Sequence, residues 1–134
     1  MALKNYGPNG TNLIIAGIPI DEFGDADPPI TIEDIEQRST LKRGIGGTSL
    51  RLDNATRPKR LTVNLMPGSD QVRQLLAVEK SGADITMVLS ISGSAEKVAG
   101  FDGVLVTRGP MGRGGKSQVT DEQFIFEFAD SEET

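Results

Sequence analysis

Leu61-Thr62-Val63-Asn64-Leu65-Met66-Pro67-Gly68-Ser69-Asp70 contains the change of period that decides the fold. Leu61, Val63 and Leu65 recur at every second position with Thr62, Asn64 and Met66 between them, the pattern of a strand with one face on a core. Pro67 and Gly68 end that strand, and Ser69 is a residue type that caps helices. Beyond it Val72, Leu75, Leu76 and Val78 form a narrow apolar stripe, Lys80 falls in the last turn and Gly82 supplies the stop. The spacing predicts one helix over about 69–81. Asp70, Gln71, Arg73, Gln74 and Glu79 lie off the stripe, so the helix is expected to cover a sheet rather than be enclosed by one.

Strand patterns continue on both sides of this segment. Downstream, Ile85, Met87, Leu89 and Ile91 alternate with Thr86, Val88, Ser90 and Ser92, and Phe101 to Arg108 reads as another strand. Phe124, Phe126 and Phe128 share one face against Ile125 and Glu127, while Asp130 to Thr134 read as a frayed acidic tail. Upstream, Leu50 and Leu52 alternate with Arg51 and Asp53. Ile30 and Ile32 oppose Thr31 and Glu33, and Ile35 breaks that parity, marking a bulge or a strand end. Leu13 to Ile18 is apolar at both parities and suits a strand covered on both faces. At 134 residues with sixteen glycines, the chain fits one turn-rich domain. The expected class is mainly β (α+β), a β-sandwich or open barrel with one packed α-helix.

Composition removes much chemistry. There is no His and no Cys, so a Ser-His-Asp triad, a Cys-His pair, a disulfide framework and the usual zinc sites cannot be built. No catalytic, cofactor or metal residue is assigned, and the chain is read as a non-enzyme. The longest apolar run, Leu13 to Ile20, is interrupted by Gly17 and Pro19 and falls short of the roughly 20 residues of a membrane helix. Lys4, Asn5, Tyr6 and Gly7 do not resemble a signal peptide. A soluble protein made in a cytoplasm is expected.

Three segments imitate binding motifs. Pro110 to Ser117 ends like the phosphate loop G-x-x-x-x-G-K-S, but Pro110 stands where the first glycine belongs, and a strand pattern follows where the motif requires a helix. Asp21, Glu22, Asp25 and Asp27 lack the spacing of a calcium loop and lead through Pro28 and Pro29 into a strand, so a stiffened solvated loop is the simpler reading. Arg38, Lys42, Arg43, Arg51, Arg57, Lys59 and Arg60 would suit a nucleic-acid backbone, yet the chain as a whole, with a pI near 4.7, repels polyanions.

The charge is sorted into blocks. Residues 1–36 hold seven acids and one base, residues 37–60 seven bases and one acid, and residues 121–134 six acids and no base, within a net charge of -5. Opposite blocks on one small protein favour copies docking head to tail, because complementary potentials steer encounter and fix register.

The order of elements, and above all Leu61 to Phe128 with Leu65-Met66-Pro67 ahead of the helix and the Ile85 strand, resembles tail tube proteins of contractile-tailed bacteriophages. The resemblance spans nearly the whole chain, 1–134, as one tail-tube-like domain, and rests on layout rather than a residue signature. It implies a virion structural subunit, assembled in the host cytoplasm, whose strands join a continuous β-barrel in a ring, commonly of six copies. The rings stack around a channel for DNA in transit, with sheath and baseplate proteins as further partners and no membrane. It also implies an assembly loop over about 37–47. There Thr40, Leu41, Lys42, Arg43, Gly44, Ile45, Gly46 and Gly47 would reach a neighbouring subunit or ring. Glu33, Asp34 and Glu36 would line the lumen. Alternatives are a non-polymerising tail, baseplate or secretion-type ring protein, and a small ligand-binding β domain.

Overall fold

The computed structural model describes residues 10–92 and 95–134. The stretch Lys4 to Gly7, weighed as a leader, lies outside them. In chain order the elements are β1 (Thr11–Ile15), β2 (Ile18–Ile20), β3 (Ile30–Asp34), β4 (Ser39–Arg43), β5 (Ser49–Asp53), β6 (Lys59–Leu65), α1 (Asp70–Ser81), β7 (Ile85–Ile91), β8 (Lys97–Arg108) and β9 (Glu122–Glu133). Seven strands form one antiparallel sheet in the order β2-β1-β7-β8-β9-β6-β3, and among the described residues β4 and β5 pair only with each other. The mainly β architecture, with a single α-helix among the described residues, is the one the alternating patterns indicate.

The sheet curls toward a barrel. β2 stands at one edge and β6 near the other, yet the chain leaving β2 bridges back at Phe23 to Leu65. Gly24 donates its N–H to the Asn64 carbonyl at 3.0 Å, and Met66 donates to that of Glu22 at 2.8 Å. These bonds require the two edges to approach. Inside the curl, period two sorts the side chains: Lys59, Leu61, Val63 and Leu65 of β6 and Glu122, Phe124, Phe126 and Phe128 of β9 are buried. Across the core they meet Leu13, Ile15, Ile85 and Met87, and from α1 Val72 and Leu75. Burying a residue such as Leu75 stabilises by about 1.5–3 kcal/mol over leaving it in water.

Four local expectations are corrected. The Leu13 to Ile18 run is two strands of a hairpin, turning at Ala16 and Gly17 with φ of 53° and 81°, and Ile14 is 42% exposed rather than covered. Positive φ at both central residues matches strand twist in a two-residue turn. The acidic terminus is not frayed: β9 runs to Glu133 against β8, and Thr134 exchanges both backbone hydrogen bonds with Lys97. β8 accordingly begins at Lys97, ahead of the expected Phe101. The helix starts at Asp70, and although Ser69 occupies the cap position, its hydroxyl makes no cap bond. Gly82 closes the helix as expected, with φ of 71° and its N–H on the Glu79 carbonyl.

Candidate assembly surfaces

The hairpin of β4 and β5 is the feature a monomer explains least. Every residue of both strands is exposed, with Leu41 at 64%, Leu50 at 56% and Leu52 at 50%. Register pairs Thr40 with Leu52 and Lys42 with Leu50, so Leu50 and Leu52 share a face with Lys42, while Leu41, Arg43 and Arg51 lie on the other. The turn is held by the Gly44 N–H on the Thr48 carbonyl at 2.7 Å and by Gly47 at φ 87°, and Ile45 projects fully into solvent. An isolated two-stranded hairpin is marginal in water. The expected loop is therefore half strand, and the candidate residues Thr40 to Gly47 form one arm of it. Leu50, Leu52 and Arg51, which complete the surface, were legible only as a strand pattern.

The base of the hairpin is locked by a charge cluster. Lys59 follows the alternation of β6 onto the core face, where its side chain is only 3% exposed, and acids compensate it: Asp34, and Glu133 at 3.3 Å. Arg38, just before β4, donates to Asp34 at 3.0 Å and pairs with Glu133 as well. Such a buried cation is tolerable only with partners of this kind. Asp34 is held below its ordinary 3.8 first by the hydrogen bond from Lys59 and then by Arg38. For Glu133 burial acts upward, but the hydrogen bonds from Arg38 and Lys59 outweigh it and the carboxyl lies below 4.5. Asp34, in turn, and then Glu133 raise Arg38. Asp130 is lowered by the backbone N–H groups of Arg57 and Ser131.

These shifts set a pH dependence. A carboxylate with a lowered folded value contributes stability above its unfolded value and loses it as pH falls through the folded one. Thermal melts are expected to be flat from pH 7 to about 5 and to drop below about 4.5, with Asp34→Asn shallower in that acid limb than the parent. An equal acid limb in both would remove Asp34 from the account.

The three acids expected in a lumen do not form one patch. Glu33 lies on the face away from the core, where Arg60 joins it at 3.0 Å and also meets Glu127 at 3.3 Å, a ladder across β3, β6 and β9. The same two acids, Glu33 first, raise Arg60. Asp34 faces the opposite way into the Lys59 cluster, and Glu36 is exposed beyond the end of β3. Elsewhere on the outer face Ile14, Val88 and Ala99 stand in register, and Val104 is 58% exposed beside Glu127.

The remaining charged segments are pinned within the fold. The glycine-rich connection between β8 and β9 closes on itself through Gly112 and Thr120, and Arg113 pairs with the buried Glu122, which Arg108 also clamps. Arg108 lies 4.7 Å over the ring of Phe124. A strand follows this loop, so no helix N-terminus meets it. In the acidic loop after β2, the Gln71 side chain accepts from the N–H groups of Asp21 and Glu22 at 3.0 Å each, and the Asp121 carboxylate accepts from Ala26 at 3.2 Å.

No family model and no curated protein matches the chain by sequence. Solved structures do match by shape. One is the sheath/tube terminator of an extracellular contractile injection system (PVC) in its extended state, with TM-score 0.61, 8% identity and 92% of each chain covered. Another is the tube-terminating cap of the anti-feeding prophage (AFP), with TM-score 0.62 and 7% identity over 100% of this chain and 93% of that one. A chain of the PVC sheath-tube complex matches with TM-score 0.53 and 8% identity, over 92% and 87%. The chain has the fold of these contractile-injection-system components over nearly its full length.

Proposed function

We propose that this protein is a structural subunit of a contractile tail or tail-like particle, and that its copies form a closed ring stacking in or upon the tail tube. The observation that carries this reading is the exposed, basic, leucine-bearing hairpin on a chain of net charge -5. A surface of that kind is stabilised by burial against a neighbour, and head-to-tail contacts between unlike surfaces form rings when the rotation between copies closes. The structural similarity to a terminator, a cap and a sheath-tube complex chain supports the same reading. Six copies to a ring, sheath and baseplate partners, and a channel passing DNA are the corresponding expectations. In such a channel the acidic balance of the chain would repel phosphate, whereas Glu33 and Asp34 are each matched by a cation.

A second reading is a terminating ring that does not polymerise. The terminator and cap chains have TM-scores of 0.61 and 0.62, against 0.53 for the sheath-tube complex chain. Negative-stain electron microscopy separates the two: long tubes favour the tube subunit and single or paired rings the terminator. Assembly is expected at about 0.1 M salt and to weaken at about 1 M, where the screening length falls from about 10 to about 3 Å. Ile45→Asp with Leu52→Asp is expected to abolish rings with no loss of melting temperature, since both side chains are exposed. A uniform monomer at every concentration and salt would defeat both readings.

A further inference from the structure

We infer that the hairpin of one copy seats in the cleft beside β3 of the next, β5 adding to the free edge of β3 with Leu50 and Leu52 turned into the cleft. This rests on the ring-forming reading and names its donor and acceptor. β3 ends the seven-stranded sheet, with β6 its only strand neighbour among the described residues, so one row of its backbone groups has no strand partner. Such an edge is a template for a further strand. Between that edge and the ends of β7, β8 and β9 lies a cavity of about 1120 Å³, walled by Ile30, Ile32, Leu89, Ile91 and Val98. An apolar wall beside a free strand edge suits an extended polypeptide segment.

Charge and parity agree on the occupant. On its own side of β3 the cavity is lined by four acids, Asp27, Asp34, Glu96 and Glu133, against two lysines, Lys59 and Lys97, a balance of -2, with Glu33 at its border on the other face of the strand. The hairpin strands carry Lys42, Arg43 and Arg51 against Asp53, a balance of +2. Ile30 and Ile32 point to the cleft side of β3, with Thr31 and Glu33 on the other. A strand laid alongside with Leu50 and Leu52 next to these isoleucines places Arg51 on the side of Glu33, and Lys42, which shares the leucine face, toward the cleft acids. Arg38 ties the hairpin base to Asp34 and Glu133 on the cleft wall, so each copy carries both a donor and an acceptor, the two unlike surfaces that a head-to-tail contact uses.

The chain has no cysteine, so single cysteines report the contact directly. Protein carrying Leu50→Cys or Leu52→Cys is mixed with protein carrying Ile32→Cys, oxidised, and run on a non-reducing gel. Arg51→Cys, on the opposite face of β5, serves as the control. A disulfide demands Cβ atoms about 3.5–4.5 Å apart and diagonal neighbours lie about 7–8 Å apart, so the leucine position that stands opposite Ile32 is expected to give roughly tenfold more mixed dimer than Arg51→Cys. Each variant is first melted to show that it folds. Rings with no mixed dimer, or equal dimer at all three positions, would overturn the docking geometry while leaving the ring reading intact. Neither rings nor dimer would end both.

Discussion

Gly103→Val is expected to lower the unfolding free energy by about 3 kcal/mol, the upper part of the overpacking range, and Gly103→Ala by about half of that. The reason lies in the ring of Phe128, which is 1% exposed and lies across β8 where Gly100 and Gly103 leave the strand bare. A Cβ on Gly103 would stand 2.3 Å from Cδ1 and 2.4 Å from Cε1 of that ring, and 2.8 Å from the carbonyl oxygen of Ile85. A Cβ on Gly100 would stand 2.8 Å from the ring Cγ. The ring has no solvent to move into, and the Ile85 carbonyl belongs to β7, whose displacement would cost ladder hydrogen bonds. Urea titration at constant slope is the measurement. Adding Phe128→Leu to Gly103→Ala is expected to cost less than the sum of the two single changes, because the substitutions share one volume. An unchanged midpoint for Gly103→Val would mean that the ring does not lie on β8.

Phe126→Ala is expected to cost about 3–5 kcal/mol, a large part of the 5–15 kcal/mol that holds a domain of this size folded. Phe126 is the middle of a row, its ring centroid 6.2 Å from that of Phe124 and 6.4 Å from that of Phe128, with interplanar angles of 16° and 27°. Truncation removes a fully buried ring and leaves both neighbours without a face to pack on. Phe101 provides the comparison, since it is 39% exposed and Phe101→Ala is expected to cost about 1 kcal/mol or less. Equal losses at the two positions would show that the phenylalanine row is not the centre of the core.

Both predictions concern residues that the sequence treats unequally. The alternation of Phe124, Phe126 and Phe128 declares a buried face, because in a strand every second side chain points the same way whatever the partner strand is. The glycines at Gly100 and Gly103 declare nothing alone. Their purpose appears only when β9 lies against β8 and Phe128 needs the space. Lys59 is a similar case: in sequence it belongs to a basic block, and parity alone would bury it, a placement that charge forbids until Asp34 and Glu133 arrive from other strands.

The hairpin region was legible as an excursion carrying Leu41, Lys42, Arg43 and Ile45 between glycines, but not as a two-stranded arm separate from the main sheet. Leu50 and Leu52 alternate as a buried strand would, and only the structure shows both exposed, with no second layer over them among the described residues. The likeness to tail tube proteins rests on layout, and the shape comparison finds the fold in a sheath/tube terminator, a tube-terminating cap and a chain of a sheath-tube complex of contractile injection systems.

The chain alone determined the local periods, and with them the central strands, the single helix with its Gly82 stop, and the absence of histidine and cysteine chemistry, because these depend on side-chain spacing and residue type within a few positions. Only the tertiary structure decided that Asp130 to Thr134 is a strand end rather than a tail, that Leu13 to Ile18 turns back on itself, and that Glu33 and Asp34 face opposite ways into different ion pairs. Those outcomes depend on which distant strand lies alongside. Pairing energy is shared between segments that the sequence keeps far apart, so neither partner's sequence alone contains it.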